Sequence, residues 1–397
     1  MSSGRASSNL APSRRVGLNA HLLSLTQSYR GAGINGYIYQ LLRHLPEAAD
    51  EGRPFHFIAY LHEPAFIAPA GLSVVRSRWD TRSPWRRIAW EQTQLARHTR
   101  NTDLLHGLAF AAPLAAACPT VITVHDLSFL RYPHAFRAFN RRYLSLFTRL
   151  SARRAARVIA VSESTRQDVI ALCGVPGERV VTVHNGVGAE FRPAAAGEVA
   201  AFRAARGLPD RFILFLGTLE PRKNLRRLLE AYAKLRGSQG TALPPLVIAG
   251  GKGWFYEEIY AAAAELGLLD AVSFPGFIPV EDLPWWYRAA ELFVYPSIYE
   301  GFGLPVLEAM ACGAPVITST ASSLPEVAGD AALLVPPDDA AALADAMHRV
   351  LAAPALRAQM REAGPRQAAR FSWRAAAHAT AEVYRTVLGL PAAGGAP

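Results

Sequence analysis

Two glutamates with seven residues between them, Glu300 and Glu308, are the residues whose types and spacing most directly suggest chemistry. A glycine-rich segment, 301–303, follows the first of them, and Pro305 and Gly313 bracket a run typical of a helix. Main-chain N–H groups at such a helix start can bind an anion, and the helix dipole favours a phosphate there. A second negative charge is unhelpful beside a phosphate. We therefore expect Glu300 to accept hydrogen bonds from a sugar and Glu308 from a ribose, the alternative being a capped helix with a solvated Glu308.

Arg222 and Lys223 are a second chemical feature, because they lie between a predicted strand at 212–216 and a predicted helix at 225–235. An arginine fork and a lysine point charge together would neutralise a diphosphate. Cations at a helix start oppose the helix dipole, so an anion should compensate them. We expect that anion to be a ligand; the alternative is a pair of ordinary surface charges.

A histidine and an aspartate, His125 and Asp126, follow the clear predicted strand at 120–124. In an open α/β sheet, ligands bind beyond the carboxyl ends of the strands, so the pair is well placed for substrate contact. A histidine at a strand end is as often structural, and both interpretations stay open from the residues alone.

Gly33 belongs to a glycine-rich segment, 29–36, between a predicted first strand at 16–20 and a predicted helix at 37–45. Strand, glycine-rich loop and helix form a geometry that can approach a phosphate, but these glycines do not match the register of G-x-G-x-x-G. A loop that closes on a ligand explains three glycines in six residues equally well.

The elements that must position these residues alternate between strands and helices in both halves of the chain. This order predicts an α/β protein with two doubly wound, Rossmann-like domains of parallel strands, as the length of 397 residues also favours. We expect an N-terminal domain at 16–192 and a C-terminal domain at 198–370. Two helices, roughly 340–352 and 372–388, should finish the chain.

The charge balance of +10, from 42 basic and 32 acidic residues, predicts an anionic partner: nucleic acid, lipid head groups or sugar nucleotides. No nucleic-acid-binding motif is present, so no nucleic acid partner is predicted. Eight arginines alternate with aromatic residues over 131–157, a segment that includes Tyr132. Such a segment can lie on an anionic membrane or accept a lipid-linked substrate, or it can be an ordinary amphipathic helix.

Several features bear on the compartment. No apolar run reaches the roughly 18 residues of a membrane span, and residues 1–15 lack the apolar core of a signal peptide, so we expect a disordered leader there. Cys118, Cys173 and Cys312 show no C-x-x-C spacing, which argues against a disulfide scaffold or zinc site. We expect all three to be buried in a reducing compartment, and the protein to be cytoplasmic, with a peripheral contact on the inner membrane face as a further hypothesis.

From residue 16 to residue 388 the chain resembles the GT-B-fold retaining glycosyltransferases of family 4, and within them a mannosyltransferase-like subgroup. The most specific piece is 300–308, which matches the E-x7-E signature of that family. The further matching pieces are His125-Asp126, Val161-Ser-Glu-Ser164, Asn185-Gly186, Arg222-Lys223-Asn224, Gly276-Phe277 and Leu324-Pro-Glu326.

The resemblance implies roles for individual residues. The implied catalytic residues are His125, Arg222, Lys223 and Glu300. The implied donor-binding residues are Gly33, Ile278, Gly301, Phe302, Gly303, Leu304 and Glu308. Asp126 and Tyr132 are expected on the acceptor side, and the helix at 373–388 is expected to cross back onto the N-terminal domain. Thr218 stands where the family commonly has arginine, and Arg222 is the expected substitute; Asn35 and Gly36 also depart from many relatives.

The implied reaction transfers a hexose from a nucleoside-diphosphate sugar to a hydroxyl of a growing polysaccharide or lipid-linked glycan, with retention. No cofactor and no metal are expected, because the cations can stabilise the leaving diphosphate and no Asp-x-Asp motif stands at a suitable strand end. GDP-mannose is the preferred donor, with UDP-glucose and dTDP-rhamnose as alternatives. A sugar-nucleotide epimerase on the same fold and a non-enzymatic protein that binds anionic glycolipid are the competing functions.

Overall fold

Two parallel β-sheets, one in each half of the chain, organise the structure. The computed structural model describes residues 13–25, 33–48, 55–81, 83–133 and 138–391. Most of the expected leader, and residues 392–397, therefore lie outside the described residues. The α/β class predicted from the alternation of strands and helices is confirmed.

The N-terminal sheet has seven strands in the order β3-β2-β1-β4-β5-β6-β7, and its neighbouring strands pair in parallel. Its strands are β1 Arg14–Asn19, β2 Phe55–Leu61, β3 Leu72–Arg76, β4 Leu104–Gly107, β5 Thr120–Val124, β6 Arg157–Ala160 and β7 Val180–Thr182. The helices beside it are α1 Ile34–Ala48, α2 Pro84–Trp90, α3 Ala96–His98, α4 Ser128–Arg131, α5 Ala138–Arg154 and α6 Glu163–Cys173, with a π-helical turn at Glu91–Leu95 between α2 and α3.

The C-terminal sheet has six parallel strands in the order β10-β9-β8-β11-β12-β13. Its strands are β8 Ile213–Leu216, β9 Leu246–Ala249, β10 Val272–Gly276, β11 Leu292–Tyr295, β12 Val316–Ser319 and β13 Leu333–Val335. The remaining helices are α7 Ala196–Arg206, α8 Leu225–Gln239, α9 Glu257–Glu265, α10 Leu283–Ala289, α11 Leu304–Ala311, α12 Leu324–Ala328, α13 Ala340–Ala352, α14 Pro354–Ala368 and α15 Trp373–Leu388. We call the elements around the seven-stranded sheet, with α15, the N-terminal lobe, and those around the six-stranded sheet the C-terminal lobe.

The central strands of the C-terminal sheet form because their sequences are apolar throughout. Every residue of β8, β9 and β11 is buried, which is the pattern of parallel strands covered by helices on both faces. The same continuous burial occurs in β5 of the other lobe. Since parallel strands end at one edge of a sheet, the loops that follow β5 and β11 are available for a common site.

Several elements differ from the sequence-based expectations. The predicted end of the disordered leader at residue 15 is wrong, because Arg14 and Arg15 begin β1 and pair with β2. The Arg15 N–H also donates to the Asp103 carboxylate at 2.7 Å. Three helices rather than two finish the chain, because Pro354 occupies the first turn of α14, where its missing N–H costs nothing. Strand β3 and helix α9 were not predicted.

Helix α15 returns to the N-terminal lobe and packs against α1. Its Tyr384 is fully buried, and the hydroxyl lies 2.6 Å from Nδ1 of His106 on β4. The other nitrogen of His106 lies 2.8 Å from the Thr123 hydroxyl, which in turn lies 2.9 Å from the Tyr37 hydroxyl on α1. Burial lowers the pKa of His106 to about 3, so a neutral imidazole links α15, the sheet and α1.

Replacing Tyr384 with phenylalanine should destabilise the protein, because Nδ1 of buried His106 then loses its partner. A buried unsatisfied group typically costs about 1–3 kcal/mol of unfolding free energy. Urea unfolding followed by circular dichroism measures this loss. Tyr39→Phe is the matched control, since the Tyr39 hydroxyl bonds only to exposed Arg43 in the described residues. Equal stabilities of Tyr384→Phe and Tyr39→Phe would contradict the assigned role.

Candidate functional site

The loop after β11 meets the loop after β5 at Gly301. A Cβ atom added to Gly301 would lie 1.7 Å from the His125 carbonyl oxygen, so any larger residue would push the two lobes apart. The sequence analysis expected Gly301 and His125 in one site. The structure brings them into direct contact.

Tyr299 anchors the same loop to the N-terminal lobe. Its hydroxyl donates to the Asp168 carboxylate at 2.7 Å and accepts from the Leu127 N–H at 3.1 Å. Asp168 also pairs with Arg131, and the Tyr132 hydroxyl donates to the Ile298 carbonyl at 3.4 Å. Tyr132, expected on the acceptor side, is thus occupied with the C-terminal lobe. No local pattern in the sequence indicated the roles of Asp168 and Tyr299.

Three hydroxyl side chains hold the carbonyl groups of the glycine-rich loop. Ser162 and Thr165 on the N-terminal lobe donate to the Gly301 carbonyl at 2.6 and 3.0 Å. The Ser323 hydroxyl lies 2.9 and 2.8 Å from the carbonyl oxygens of Glu300 and Phe302, and its single O–H is shared between them. Because these carbonyls are engaged, the orientation of the loop is fixed from both lobes. Thr165 and Ser323 were missed by the sequence analysis.

Helix α11 starts immediately after this loop, as the sequence predicted. Gly303 precedes its first residue with φ of +109°, a conformation that favours glycine. The first main-chain bonds of the helix run from Val306 and Leu307 to the Gly303 carbonyl. The amides of Gly303 and Leu304 therefore have no acceptor within the helix, and they form the donor end of its dipole.

Glu300 lies at the centre of a buried ion cluster. One carboxylate oxygen, Oε1, accepts from Lys223 Nζ at 2.7 Å, from Ser297 Oγ at 2.6 Å and from Tyr295 OH at 3.1 Å. The other, Oε2, lies 2.9 Å from Arg222 Nη1. Burial alone would raise the pKa of Glu300, but Arg222 and Lys223 lower it to about 2. Glu300 is therefore ionised at all physiological pH values.

The two cations of this cluster are compensated within the protein. Besides its contact with Glu300, Arg222 donates to buried Glu220 at 2.6 Å and to the Tyr299 carbonyl at 2.6 Å. Two carboxylates thus balance Arg222 and Lys223 in the described structure. The expectation that the compensating anion is a ligand is wrong for the protein alone, because Glu220, two positions before Arg222, and Glu300, 77 positions after Lys223, supply the negative charge.

Glu308 has a different environment from Glu300. It is partly buried on α11, and its Oε2 accepts a hydrogen bond from the Tyr287 hydroxyl at 2.9 Å. Burial, with a smaller contribution from the negative charge of Glu190, raises the pKa of Glu308 to about 8, although the hydrogen bond from Tyr287 acts in the opposite direction. Glu308 is therefore largely protonated at pH 7, unlike the solvated side chain of the alternative interpretation.

His125 lies at the carboxyl end of β5, almost fully buried. Its Nε2 donates to the Leu108 carbonyl at 2.8 Å, and the rings of Tyr37 and Phe110 face it edge-on. Burial lowers the pKa of His125 to about 4. The imidazole is thus neutral at pH 7, with Nδ1 left as a hydrogen-bond acceptor.

Three further predicted site residues, Asp126, Gly33 and Ile278, form no hydrogen bond or ion pair with the ion cluster of Glu300 in the described residues. Asp126 accepts from the main-chain N–H and the hydroxyl of Ser128 at 2.9 and 2.6 Å, so it supports the turn into α4. Gly33 stands at the start of α1 with φ of +66°, and the loop before it lies outside the described residues. Ile278 is buried just after β10, three strand positions from β11.

Three expectations about metals, membranes and cysteines can be compared with the described residues. They contain no group of three or more His, Cys, Asp or Glu side chains arranged to hold a metal ion. None of their helices is long and apolar enough to cross a bilayer. All three cysteines are free; Cys173 and Cys312 are buried as expected, whereas Cys118 is only partly buried.

Both halves of the chain match known sequence families. Residues 31–191 match the family described as Glycosyltransferase Family 4, and residues 200–367 match Glycosyl transferases group 1. The O-antigen chain mannosyltransferase B of Escherichia coli is 36% identical over 267 residues, which cover 67% of this chain and 70% of that protein. The serotype-specific mannosyltransferase WbdA of Escherichia coli is 34% identical over 279 residues, and the match spans about a third (34%) of its length.

Solved structures share the fold. The sucrose-phosphate synthase of Thermosynechococcus elongatus has a TM-score of 0.76 at 23% identity, over 95% of this chain and 99% of that one. WaaG, a glycosyltransferase involved in lipopolysaccharide biosynthesis, has a TM-score of 0.71 at 18% identity, over 96% of this chain and 100% of that one. The chain therefore belongs to the GT-B-fold glycosyltransferases of family 4, as a nucleotide-sugar-dependent, mannosyltransferase-like member.

Proposed function

We propose that the protein transfers mannose from GDP-mannose to a hydroxyl of a growing polysaccharide or lipid-linked glycan, with retention at the anomeric carbon. The observation that carries the proposal is the buried cluster of Glu300, Arg222 and Lys223 beside the start of α11, in contact with the loop of His125. The similarity to two mannosyltransferases of Escherichia coli supports mannose as the sugar.

The leaving diphosphate gains negative charge as its bond to the sugar breaks, and fixed donors would stabilise that charge. Lys223 has three N–H groups and bonds to the Tyr295 hydroxyl and Glu300 in the described structure, so one N–H can turn to a phosphate oxygen. The amides of Gly303 and Leu304 would bind the same group. Because the cations are already balanced by carboxylates, the site holds them in place before the donor arrives.

Glu300 and His125 would bind hydroxyls of the donor sugar. Oε1 of Glu300 already accepts three hydrogen bonds, whereas Oε2 has one recorded partner, so Oε2 is the oxygen we assign to the sugar. His125 would contribute its unprotonated Nδ1. Glu308 would bind the ribose, and main-chain groups near Ile278 the base.

Retention would follow from attack on the face of the sugar from which the diphosphate leaves, with a phosphate oxygen taking the proton of the acceptor hydroxyl. The contacts of Tyr299 with Asp168 and of Ser162 with Gly301 hold the lobes together and would exclude water from the donor. We place no metal ion in this mechanism, because Arg222, Lys223 and the helix amides supply the stabilising charge.

A lipid-linked acceptor is favoured by α5. Tyr143 and Phe147 on this helix are half-buried with ring centroids 4.8 Å apart, as in an ordinary amphipathic helix. Leu146 and Leu150, however, are exposed among arginines, which suits contact with an anionic membrane. We propose that this face approaches the inner surface of the membrane that carries the acceptor.

The direct test incubates the purified protein with GDP-mannose, UDP-glucose or dTDP-rhamnose and a panel of mannose-containing acceptors. Product analysed by mass spectrometry and NMR should show mannose transfer with retained configuration, dependence on the acceptor and no loss in EDTA. Conversion of donor without acceptor would indicate an epimerase. Salt-sensitive binding to anionic lipid without any turnover would indicate a glycolipid-binding protein, and loss of activity in EDTA would contradict the metal-free mechanism.

Glu300→Gln should lower transfer far more than nucleotide binding. The glutamine keeps the shape of the side chain but loses the charge that accepts the sugar hydroxyl. We expect kcat to fall about 100-fold, equivalent to about 2.7 kcal/mol, while Kd for free nucleotide changes less than about threefold. Kinetics and calorimetry measure the two quantities.

Glu220→Gln is the matched control, because Glu220 balances Arg222 in the same cluster and has no assigned contact with the sugar. Melting temperatures should confirm that both variants fold. An equal loss of kcat in both variants would show that charge balance, rather than contact with the sugar, explains the effect.

Nucleotide affinity should rise between pH 7 and pH 9 because Glu308 has a raised pKa of about 8. Ribose hydroxyls would donate to the ionised carboxylate, so binding releases a proton and Kd falls by up to about tenfold per pH unit below the pKa. Calorimetry in buffers of different ionisation enthalpy measures both the affinity and the released proton.

Glu308→Gln removes this titration and serves as the control for ionisation of the nucleotide itself. If nucleotide affinity instead falls with rising pH, and does so only in the wild type, a protonated Glu308 donates to the ribose.

In the absence of nucleotide, the raised pKa of Glu308 stabilises the folded protein at low pH. That contribution should decline from about pH 4.5 to about pH 8 in the wild type but not in the variant.

A further inference from the structure

A cavity of about 280 Å³ lies on the C-terminal lobe, away from the glycine-rich loop. Its walls are the segment 193–196 that enters α7, helix α10, the end of α11 at Cys312 and Gly313, and helix α14. Three arginines from three helices line it: Arg203 on α7, Arg288 on α10 and Arg361 on α14. No carboxylate is among the lining residues.

None of the three arginines forms an ion pair with a carboxylate in the described residues; their hydrogen bonds go mainly to main-chain oxygens, and Arg288 also lies over the Trp285 ring, 4.5 Å from its centroid. Arg203 donates to the Ala289 carbonyl at 2.9 Å, Arg288 donates to the Arg192 and Glu190 carbonyls at 2.6 and 2.7 Å, and Arg361 makes one long contact of 3.5 Å to Gly313. Three positive charges therefore surround one cavity without a carboxylate bonded to any of them in the described residues.

Other arginines of this lobe are paired differently. Arg211 forms a two-pronged pair with Glu291 at 2.7 and 3.0 Å, and Arg236 forms one with Asp270 at 2.9 and 2.6 Å. Burial together with the like charges of Arg357 and Arg203 lowers the pKa of Arg361, although Glu291 acts in the opposite direction. The contrast indicates that the guanidinium groups around the cavity are available to bind an anion.

We propose that this cavity binds a phosphate group. Guanidinium groups match phosphate oxygens in pairs, and three of them from different helices can surround one dianion. The volume lies near the lower end of the range for small-molecule sites, so it suits a phosphate with a small substituent or the phosphate of a lipid head group.

A phosphate bound in the cavity would influence the position of Glu308, the residue assigned to the ribose, through α11. The Cys312 N–H donates to the Glu308 carbonyl at 3.0 Å, so the wall of the cavity is one helical turn from the residue assigned to the ribose. Tyr287, which donates to Glu308, precedes Arg288 on α10. Glu308 lies on α11, and its partner Tyr287 lies on α10. A phosphate bound in the cavity would therefore contact or adjoin both helices that position Glu308, as well as the segment 193–196.

The test compares the wild type with the double variant Arg203→Gln/Arg361→Gln, using thermal unfolding in inorganic phosphate and in sodium chloride of equal ionic strength. Phosphate should raise the Tm of the wild type by about 3 °C or more beyond chloride, and the double variant should lose most of that rise. Any phosphate that binds at the proposed donor site contributes to both proteins, so the difference between them reports the cavity alone.

The matched control is Arg226→Gln/Arg236→Gln, which removes two positive charges from α8, where both arginines already face carboxylates. It should keep the phosphate response. A single Arg361→Gln variant, which changes only one of the two side chains, gives a second measurement if the double variant folds poorly. The same response to phosphate in the wild type and the cavity variants would overturn the proposal.

Flotation with phosphatidylcholine vesicles that contain phosphatidic acid distinguishes the two sources of phosphate. Capture of the wild type that is lost in the cavity variants supports a lipid head group, and a phosphate-induced rise in Tm without capture supports a free phosphate compound. Neither response in the wild type would overturn the site, and it would leave the proposed transfer reaction unaffected because that reaction is assayed separately.

Discussion

The buried ion pairs of Glu300 with Lys223 and Arg222 are the interaction on which the rest of the site depends. A buried carboxylate is costly to ionise, and here two cations and two hydroxyl groups, from Tyr295 and Ser297, offset that cost. The balance is strong enough to lower the pKa of Glu300 to about 2 despite its burial. Loss of one partner from such a cluster typically destabilises a protein by about 3–5 kcal/mol, so the geometry of the loop and its charge state are coupled.

The same loop is also where the two lobes meet. Gly301 touches the His125 carbonyl, and the Tyr299 hydroxyl reaches Asp168, so the segment that carries Glu300 is held from both sides. A site assembled in this way is complete only when the lobes are together. In our account, closure of the lobes and formation of the donor site are one event, which would protect a reactive sugar from water.

The parts of the fold visible in the sequence were those with a local physical signal. Strands such as β9, with the sequence LVIA, are apolar throughout because both faces of the sheet are covered, and they were located within a residue or two. The glycine-rich loop and α11 were predicted because Pro305 and the glycines have strong local preferences. Helix α14 was missed because Pro354 and Pro365 disguise its pattern, although the first stands where proline is tolerated.

The parts that could not be predicted depend on contacts between residues distant in sequence. Lys223 and Glu300 are 77 positions apart, and Asp168 and Tyr299 are 131 apart. Without the fold, the two cations looked uncompensated, and a ligand was the natural candidate for the missing charge. The opposite charge states of the two signature glutamates likewise arise from burial and neighbours, since the same residue type has a pKa of about 2 at Glu300 and about 8 at Glu308.

The most direct test of the central claim is a crystal structure of the protein with a bound nucleoside diphosphate. Our account predicts that the diphosphate lies within hydrogen-bonding distance of Lys223 Nζ and of the amides of Gly303 and Leu304, while Glu300 keeps its contacts with Arg222 and Lys223. A diphosphate bound elsewhere, or a Glu300 side chain displaced from both cations, would contradict it.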